Sequence, residues 1–203
     1  MDYKHGGNIY EIKRDNGKEV IDFSANINPL LTDDFIRDVF DNSIEDIRNY
    51  PDPDYIELKE IIAKTHSVDI SKITLGNGAI ELIFDIPRVI KPKTALLISP
   101  TFIEYERSLL SQGVNITYLE MDKESFEYNL DDINLAANNK DVVFICNPNN
   151  PTSSLLKKEQ IRFLLQNHPT TVFVIDEAFS EFLEDESNYT CIEYIEEFKN
   201  LII

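Results

Sequence analysis

The sequence predicts an α/β fold: a mostly parallel sheet with helices on both faces. Three observations carry this. Short apolar runs, TALLIS (94–99), NITYLEM (115–121), DVVFIC (141–146) and TVFVID (171–176), alternate with stretches of helical pattern. The runs are continuous rather than alternating apolar with polar, as strands buried on both faces are. Polar and aromatic residues gather directly after the runs, at the carboxyl ends of strands, where open α/β sheets bind ligands.

Taken in order, 54–66 has a helical pattern with apolar Ile56, Leu58, Ile61 and Ile62. ITL (73–75) reads as a short strand entering GNGAIELI, a glycine turn that opens a helix. TALLIS is followed by Pro100, Thr101 and Phe102, and a helix is expected over 102–112. NITYLEM leads to a helix over 130–138, and DVVFIC runs into CNPNNPTSS (146–154). A helix over 156–167 then returns the chain to TVFVID, which ends in Asp176, Glu177, Ala178 and Phe179. Right-handed crossovers should join these parallel strands. The acidic stretch 181–198, EFLEDESNYTCIEYIEEF, reads as a solvated helix face and loop.

Composition narrows the function. With 203 residues and 42% hydrophobic content, the chain can bury one sizeable core, or one domain plus an arm. No apolar run of about 18 residues occurs, so no segment is expected to span a membrane. The polar start MDYKHGGN carries no apolar signal region, which points to the cytoplasm. Nineteen basic and 37 acidic side chains give a formal charge of −18. Such a surface repels phosphate backbones and argues against nucleic-acid binding. Cys146 and Cys191 are too few for a disulfide framework, and Cys146, ending an apolar run, reads as a small core residue. His5, His66 and His168 show no ligand spacing, so no metal site is expected.

The residues after the runs suggest a socket. Gly76, Asn77 and Gly78 form a tight turn before a helix, whose free backbone N–H groups can hold a phosphate. Alone this is weak, because glycine before a helix is commonly just a turn, and no Gly-Lys-Ser/Thr follows. Asp176 ends an apolar run, so its carboxylate needs a cationic partner or donors; a protonated pyridine nitrogen would serve, and so would a helix N-terminus. Phe102 can stack on a flat ring or simply fill the core. Asn150 can donate its amide to a phenolate oxygen or merely shape a turn.

NNPT (149–152) and DEAF (176–179), with YPDP (50–53) in support, resemble the fold-type I pyridoxal 5′-phosphate enzymes of the aminotransferase class I/II group. The resemblance covers nearly the whole chain. It implies the large domain of such an enzyme and pyridoxal 5′-phosphate as cofactor. It places Asn150 on the cofactor's ring oxygen, Asp176 on its ring nitrogen, Phe102 on its face and Gly76, Asn77 and Gly78 on its phosphate. Tyr50 would reach the phosphate in the neighbouring subunit of a homodimer. The asparagine loop would then be stiff in order to present Asn150 at a fixed distance. Two departures stand out: Ser153 replaces the family's usual glycine after NNPT, and Phe179 replaces the tyrosine of DEAY.

HGGNIYE (5–11) and DFSANINPL (22–30) are similar to the threonine-phosphate decarboxylase branch of that family, and so is DEAF. This implies a small phosphorylated amino-acid substrate and a place in cobalamin side-arm synthesis. His5 and Gly6 would contact the substrate phosphate, Asn26 would lie beside the substrate, and Asn150 would touch substrate as well as cofactor. HGG also suits a flexible arm. Residues 1–30 are read as an N-terminal arm carrying substrate contacts, and 31–203 as a partial cofactor-binding large domain. By the family's spacing the chain stops about ten residues short of the lysine that holds the cofactor. Lys199 precedes the last strand and reads as a solvated end residue. No catalytic residue is therefore assigned, the small domain is missing, and an inactive N-terminal fragment is expected. A fragment of a histidinol-phosphate or other amino-acid aminotransferase is the alternative. A non-catalytic chain that binds phosphorylated small molecules or a partner subunit is the third reading.

Overall fold

Parallel strands cannot be closed by a tight turn, so the first three apolar runs are each followed by a helix that carries the chain back, and the fourth by a run of 3₁₀ turns. The computed structural model describes residues 6–17 and 21–203. His5, an expected substrate contact, lies outside the described residues. The chain divides into two compact units, residues 1–54 and 55–203.

The first unit carries α1 (Ile9–Asn16) and α2 (Asp33–Ser43). Asn8 caps α1 by accepting the Glu11 N–H at 3.2 Å, and Gly17 ends it in the left-handed region. Thr32 caps α2 through the Phe35 N–H, and Asp33 and Asp34 complement the helix dipole in its first turn.

The second unit runs α3 (Ile56–His66), α4 (Ala79–Ile90), β1 (Thr94–Ser99), α5 (Ile103–Ser111), β2 (Asn115–Glu120), α6 (Leu130–Ala136), β3 (Val142–Cys146), α7 (Lys158–Asn167), β4 (Val172–Asp176) and β5 (Leu201–Ile202). The sheet has the order β2-β1-β3-β4-β5, and every described pairing is parallel. The fold class read from the sequence is thus observed. The strand order reverses between β1 and β3, and such a switch point opens a crevice at the carboxyl ends of the strands.

Each central strand divides its side chains between two cores. On one face, Leu96, Ile98, Val143, Ile145, Phe173 and Ile175 pack with Ile133 of α6 and Ile161, Leu164 and Leu165 of α7. On the other, Ala95, Leu97, Val142, Phe144, Cys146 and Val174 pack with Ile83 of α4 and Tyr105 and Leu109 of α5. Helices on both faces explain why the runs are apolar throughout rather than at alternate positions.

Three expectations are corrected. ITL (73–75) forms no strand: it is a short extended link between a 3₁₀ turn, Ile70–Lys72, and the glycine turn. NITYLEM is not buried on both faces. As β2 it is the edge strand, with Asn115, Thr117, Tyr118 and Glu120 exposed, so its apolar content misled. The acidic stretch 181–198 holds no α-helix but short 3₁₀ turns at Ser180–Phe182, Glu186–Asn188 and Ile192–Tyr194. Ser187 Oγ and Asn188 Nδ2 both donate to the Asp185 carboxylate there, the local bonding that favours turns over helix.

Among the described residues no helix is long and apolar enough to cross a membrane.

Candidate functional site

The pairing of β3 with β4 fixes the site. Cys146 stands opposite Asp176 in the ladder, and the Asn147 N–H donates to the Asp176 carbonyl at 2.8 Å. The asparagine loop and the DEAF turn therefore leave the sheet side by side. Across the switch point, Thr101 Oγ1 donates to Asn149 Oδ1 at 2.9 Å and Asn149 Nδ2 donates to the Pro100 carbonyl at 2.9 Å. The loops after β1, β3 and β4 form one structure at one end of the sheet.

The three asparagines of the loop do different work. Asn147 is buried, and its amide closes the loop: Nδ2 donates to the Leu156 carbonyl at 2.9 Å, and Oδ1 accepts the Leu156 N–H at 2.8 Å. Asn149 is buried too, and its Nδ2 also donates to Thr152 Oγ1 at 2.8 Å. Asn150 differs. It is half-buried, and its side chain makes no hydrogen bond among the described residues. A donor amide on a clamped loop is what recognition of a ring oxygen requires. The peptide bonds before Pro100, Pro148 and Pro151 are cis. Ser153 sits at φ +62°, the left-handed region where a glycine would be unstrained, so the departure noted in the sequence falls where the backbone favours glycine.

Asp176 is half-buried and engaged at both oxygens. Oδ2 accepts from the Tyr105 hydroxyl at 2.6 Å, and Oδ1 accepts the Ala178 N–H at 3.0 Å. The helix-capping role considered for Asp176 is not observed: the next 3₁₀ turn, Ser180–Phe182, is entered from Phe179, and the bond to Ala178 closes a local Asx turn, with the buried Tyr105 as the second donor. Sequence reasoning missed Tyr105; its only signal was spacing, three residues past Phe102 on the helix that follows β1. Phe102 is half-buried at the start of α5, and its ring meets Tyr105 edge-on at 5.6 Å between centroids. Tyr105 stacks on Phe144 at 5.2 Å. Cys146 is buried, and burial, then the Asp176 charge, push its thiol above the ordinary value. It is no nucleophile at neutral pH. Tyr128, also missed, donates to the Cys146 carbonyl at 2.6 Å and braces the same strand end.

The glycine turn is closed on itself, with the Gly78 N–H donating to the Gly76 carbonyl at 2.8 Å. Gly78 precedes α4 at φ +77°, and a Cβ on Gly76 would meet the Glu81 carboxylate and Leu82 at 3.1 Å. Glu81, missed in the sequence, shapes the turn: its Oε2 accepts the Asn77 N–H at 2.5 Å and Asn77 Nδ2 at 3.0 Å. A cavity of about 380 Å³ lies beyond the ends of β1 and β2. It is lined by Glu120, Asp122, Glu127 and Asp132, which disfavour a phosphorylated ligand there.

Glu177 ties the DEAF turn down. Its carboxylate accepts from Thr190 Oγ1 at 2.6 Å and from the Cys191 N–H at 2.7 Å. Burial raises its pKa against the lowering effect of those two bonds. The folded state therefore holds the proton more tightly than the unfolded chain, whose reference is 4.5. That stability is fully present below 4.5 and is lost as pH rises through the folded value. Urea melts of Glu177→Gln, which cannot ionise, should therefore gain on the native protein as pH is raised from below that reference to neutrality. A constant difference would contradict this.

Within the first unit the two N-terminal motifs meet. A Cβ on Gly6 would lie 1.9 Å from the Ser24 carbonyl oxygen, and the Gly7 N–H donates to Ser24 Oγ at 2.8 Å. Gly6 is thus a docked glycine, close in sequence to His5 and held against the segment that carries Asn26. Asn26 and Tyr50 are exposed in that unit.

A sequence profile of the aminotransferase class I and II family matches residues 18–203. The chain belongs to the aminotransferase class I and II family. This aminotransferase-family chain is 37% identical over 195 residues to the adenosylcobalamin biosynthesis bifunctional protein CobDQ of Leptospira interrogans, covering 92% of itself and 22% of that protein. It is 34% identical to the threonine-phosphate decarboxylase of Salmonella typhimurium, covering 91% of itself and 52% of the enzyme. Among solved structures, the histidinol-phosphate aminotransferase of Clostridium acetobutylicum superposes with a TM-score of 0.78 at 31% identity, over 90% of this chain and 54% of that one. The chain thus spans about half the length of such relatives, or less. The family's cofactor is pyridoxal phosphate. The second unit's groups fit its ring chemically, with a carboxylate at the sheet end, an aromatic face and an amide that makes no hydrogen bond among the described residues; the glycine turn adds the backbone N–H groups of a helix start, with its Asn77 donors held by Glu81.

Proposed function

We propose that the chain is the N-terminal part of a pyridoxal-phosphate-dependent threonine-phosphate decarboxylase. The observation that carries the cofactor reading is the Asp176 carboxylate, fixed at both oxygens at the sheet's switch-point end beside the loop of Asn150. In this reading Asp176 pairs with the pyridine nitrogen, Asn150 meets the ring oxygen, and Phe102 covers the ring. The turn of Gly76, Asn77 and Gly78 takes the phosphate. When bound, the cofactor supplies an electron sink for the pair left behind as carbon dioxide departs. Asp176 would keep the ring nitrogen protonated, because an opposite charge at close range favours the charged form.

The decarboxylase reading draws on Phe179, on HGGNIYE and DFSANINPL, and on the relatives at 34–37% identity. His5 and Gly6 would face the substrate phosphate, with Asn26 and Asn150 beside the substrate. Tyr50 would serve the phosphate site of a second subunit, making the working protein a homodimer of the cytoplasm. The 31% identity to a histidinol-phosphate aminotransferase supports the second reading, an aminotransferase built on the same socket.

Substrate profiling of the full-length protein tests these readings. Carbon dioxide release from O-phospho-L-threonine supports the first, and amino transfer from histidinol phosphate supports the second. The 203-residue chain alone is expected to do neither. Lys199 precedes β5, at the end of the sheet opposite the strands' carboxyl ends, and cannot serve as the cofactor's lysine. Cofactor added to this chain should keep the spectrum of the free aldehyde. Enzyme-like carbon dioxide release from a preparation free of longer protein would refute the expectation.

A further inference from the structure

We infer that Tyr105 is the positioning residue for Asp176, holding its carboxylate in line with the cofactor's pyridine nitrogen and setting its distance from the Phe102 ring. The inference rests on the cofactor reading above. Tyr105 is fully buried, yet it carries a hydroxyl, and a buried hydroxyl needs a partner. Its partner is Asp176 Oδ2 at 2.6 Å. The phenol ring cannot drift, because Phe144 stacks on it and Phe102 meets it edge-on. With Oδ1 held by the Ala178 N–H, the carboxylate has lost its freedom to turn. One side chain thus touches both the residue proposed for the ring's face and the residue proposed for its nitrogen. Burial, then the Asp176 charge, raise the Tyr105 phenol far above its ordinary value, so the hydroxyl stays a donor throughout the working pH range. A tyrosine kept only for packing would gain nothing from the hydroxyl, since phenylalanine fills nearly the same volume.

The test uses the 203-residue chain and two ligands that need no lysine: pyridoxamine 5′-phosphate and its 1-deaza analogue, whose ring nitrogen is replaced by C–H. Calorimetric titration of the native chain should show the pyridine ligand bound about tenfold tighter or more, the scale of a hydrogen bond to a charged group. Asp176→Asn should lower that ratio. Tyr105→Phe should lower it at least about threefold, with the deaza analogue's affinity unchanged, because the hydroxyl acts only through Asp176. Thermal melts verify that the variants are folded. If Tyr105→Phe weakens both ligands equally, or leaves the native ratio intact, Tyr105 is only a packing residue and the inference fails while the cofactor reading stands. If the native chain binds neither ligand, or does not distinguish them, the cofactor reading falls and takes this inference with it.

Discussion

Asp176→Ala is expected to lower the unfolding free energy of the chain by about 2–4 kcal/mol. The substitution strands the fully buried Tyr105 hydroxyl, at about 1–3 kcal/mol, and removes the acceptor of the Ala178 N–H, whose loss resembles that of a cap. Adding Tyr105→Phe should recover much of the loss, because the orphaned hydroxyl is then gone. The double variant should therefore be more stable than Asp176→Ala alone, and a double-mutant cycle by chemical denaturation reads this directly. Strictly additive effects would mean that the hydrogen bond contributes nothing. Asp176→Asn is informative in a different way. A carboxylate accepts at both oxygens, but an amide accepts at one only, so Asn keeps either the Tyr105 or the Ala178 partner. A residue that served only as a cap would tolerate Asn well.

Asn147→Ala should cost a similar amount, about 2–4 kcal/mol, for a reason unconnected with any ligand. The Asn147 amide pairs with both backbone groups of Leu156, and both residues are buried. Removing the side chain leaves an N–H and a carbonyl without partners where water does not reach, each worth about 1–3 kcal/mol. Asn147→Asp is no remedy, because a carboxylate sets an oxygen against the Leu156 carbonyl. Guanidinium melts of both variants decide the matter, and an Ala variant within about 0.5 kcal/mol of the native chain would contradict it.

The apolar runs made the sheet readable, because strands covered on both faces leave an uninterrupted stretch in the sequence. The same property hid the position of β2. An edge strand that is half apolar looks like a buried one until its neighbours are known, and Thr117 and Glu120 were the available warning. Helix positions after each strand were legible within a few residues, whereas the 3₁₀ turns of 181–198 were not, since their side chains bond locally rather than by helical period. At the site, sequence motifs drew attention to Asn150, Asp176, Phe102 and the glycine turn. They did not reveal Asn147 and Asn149 as clamps, nor Tyr105, Tyr128 and Glu81. Those roles depend on partners 9 to 71 positions away, apart from the Asn149–Thr152 bond and Glu81, which act within their own turns.

The position of β1 between β2 and β3 has a consequence for biosynthesis. β2 follows β1 closely in the chain, so these two strands can pair as soon as residue 120 is free of the ribosome. The other side of β1 must wait for residues 142–146. At roughly 5–20 residues per second that delay is about 1–5 s, long on the timescale of collapse. During it the flank of Ala95, Leu96 and Leu97 is an open apolar strand edge, a template for pairing with another nascent chain. The seam that later forms the switch-point crevice is therefore an open pairing edge while the polypeptide is being made.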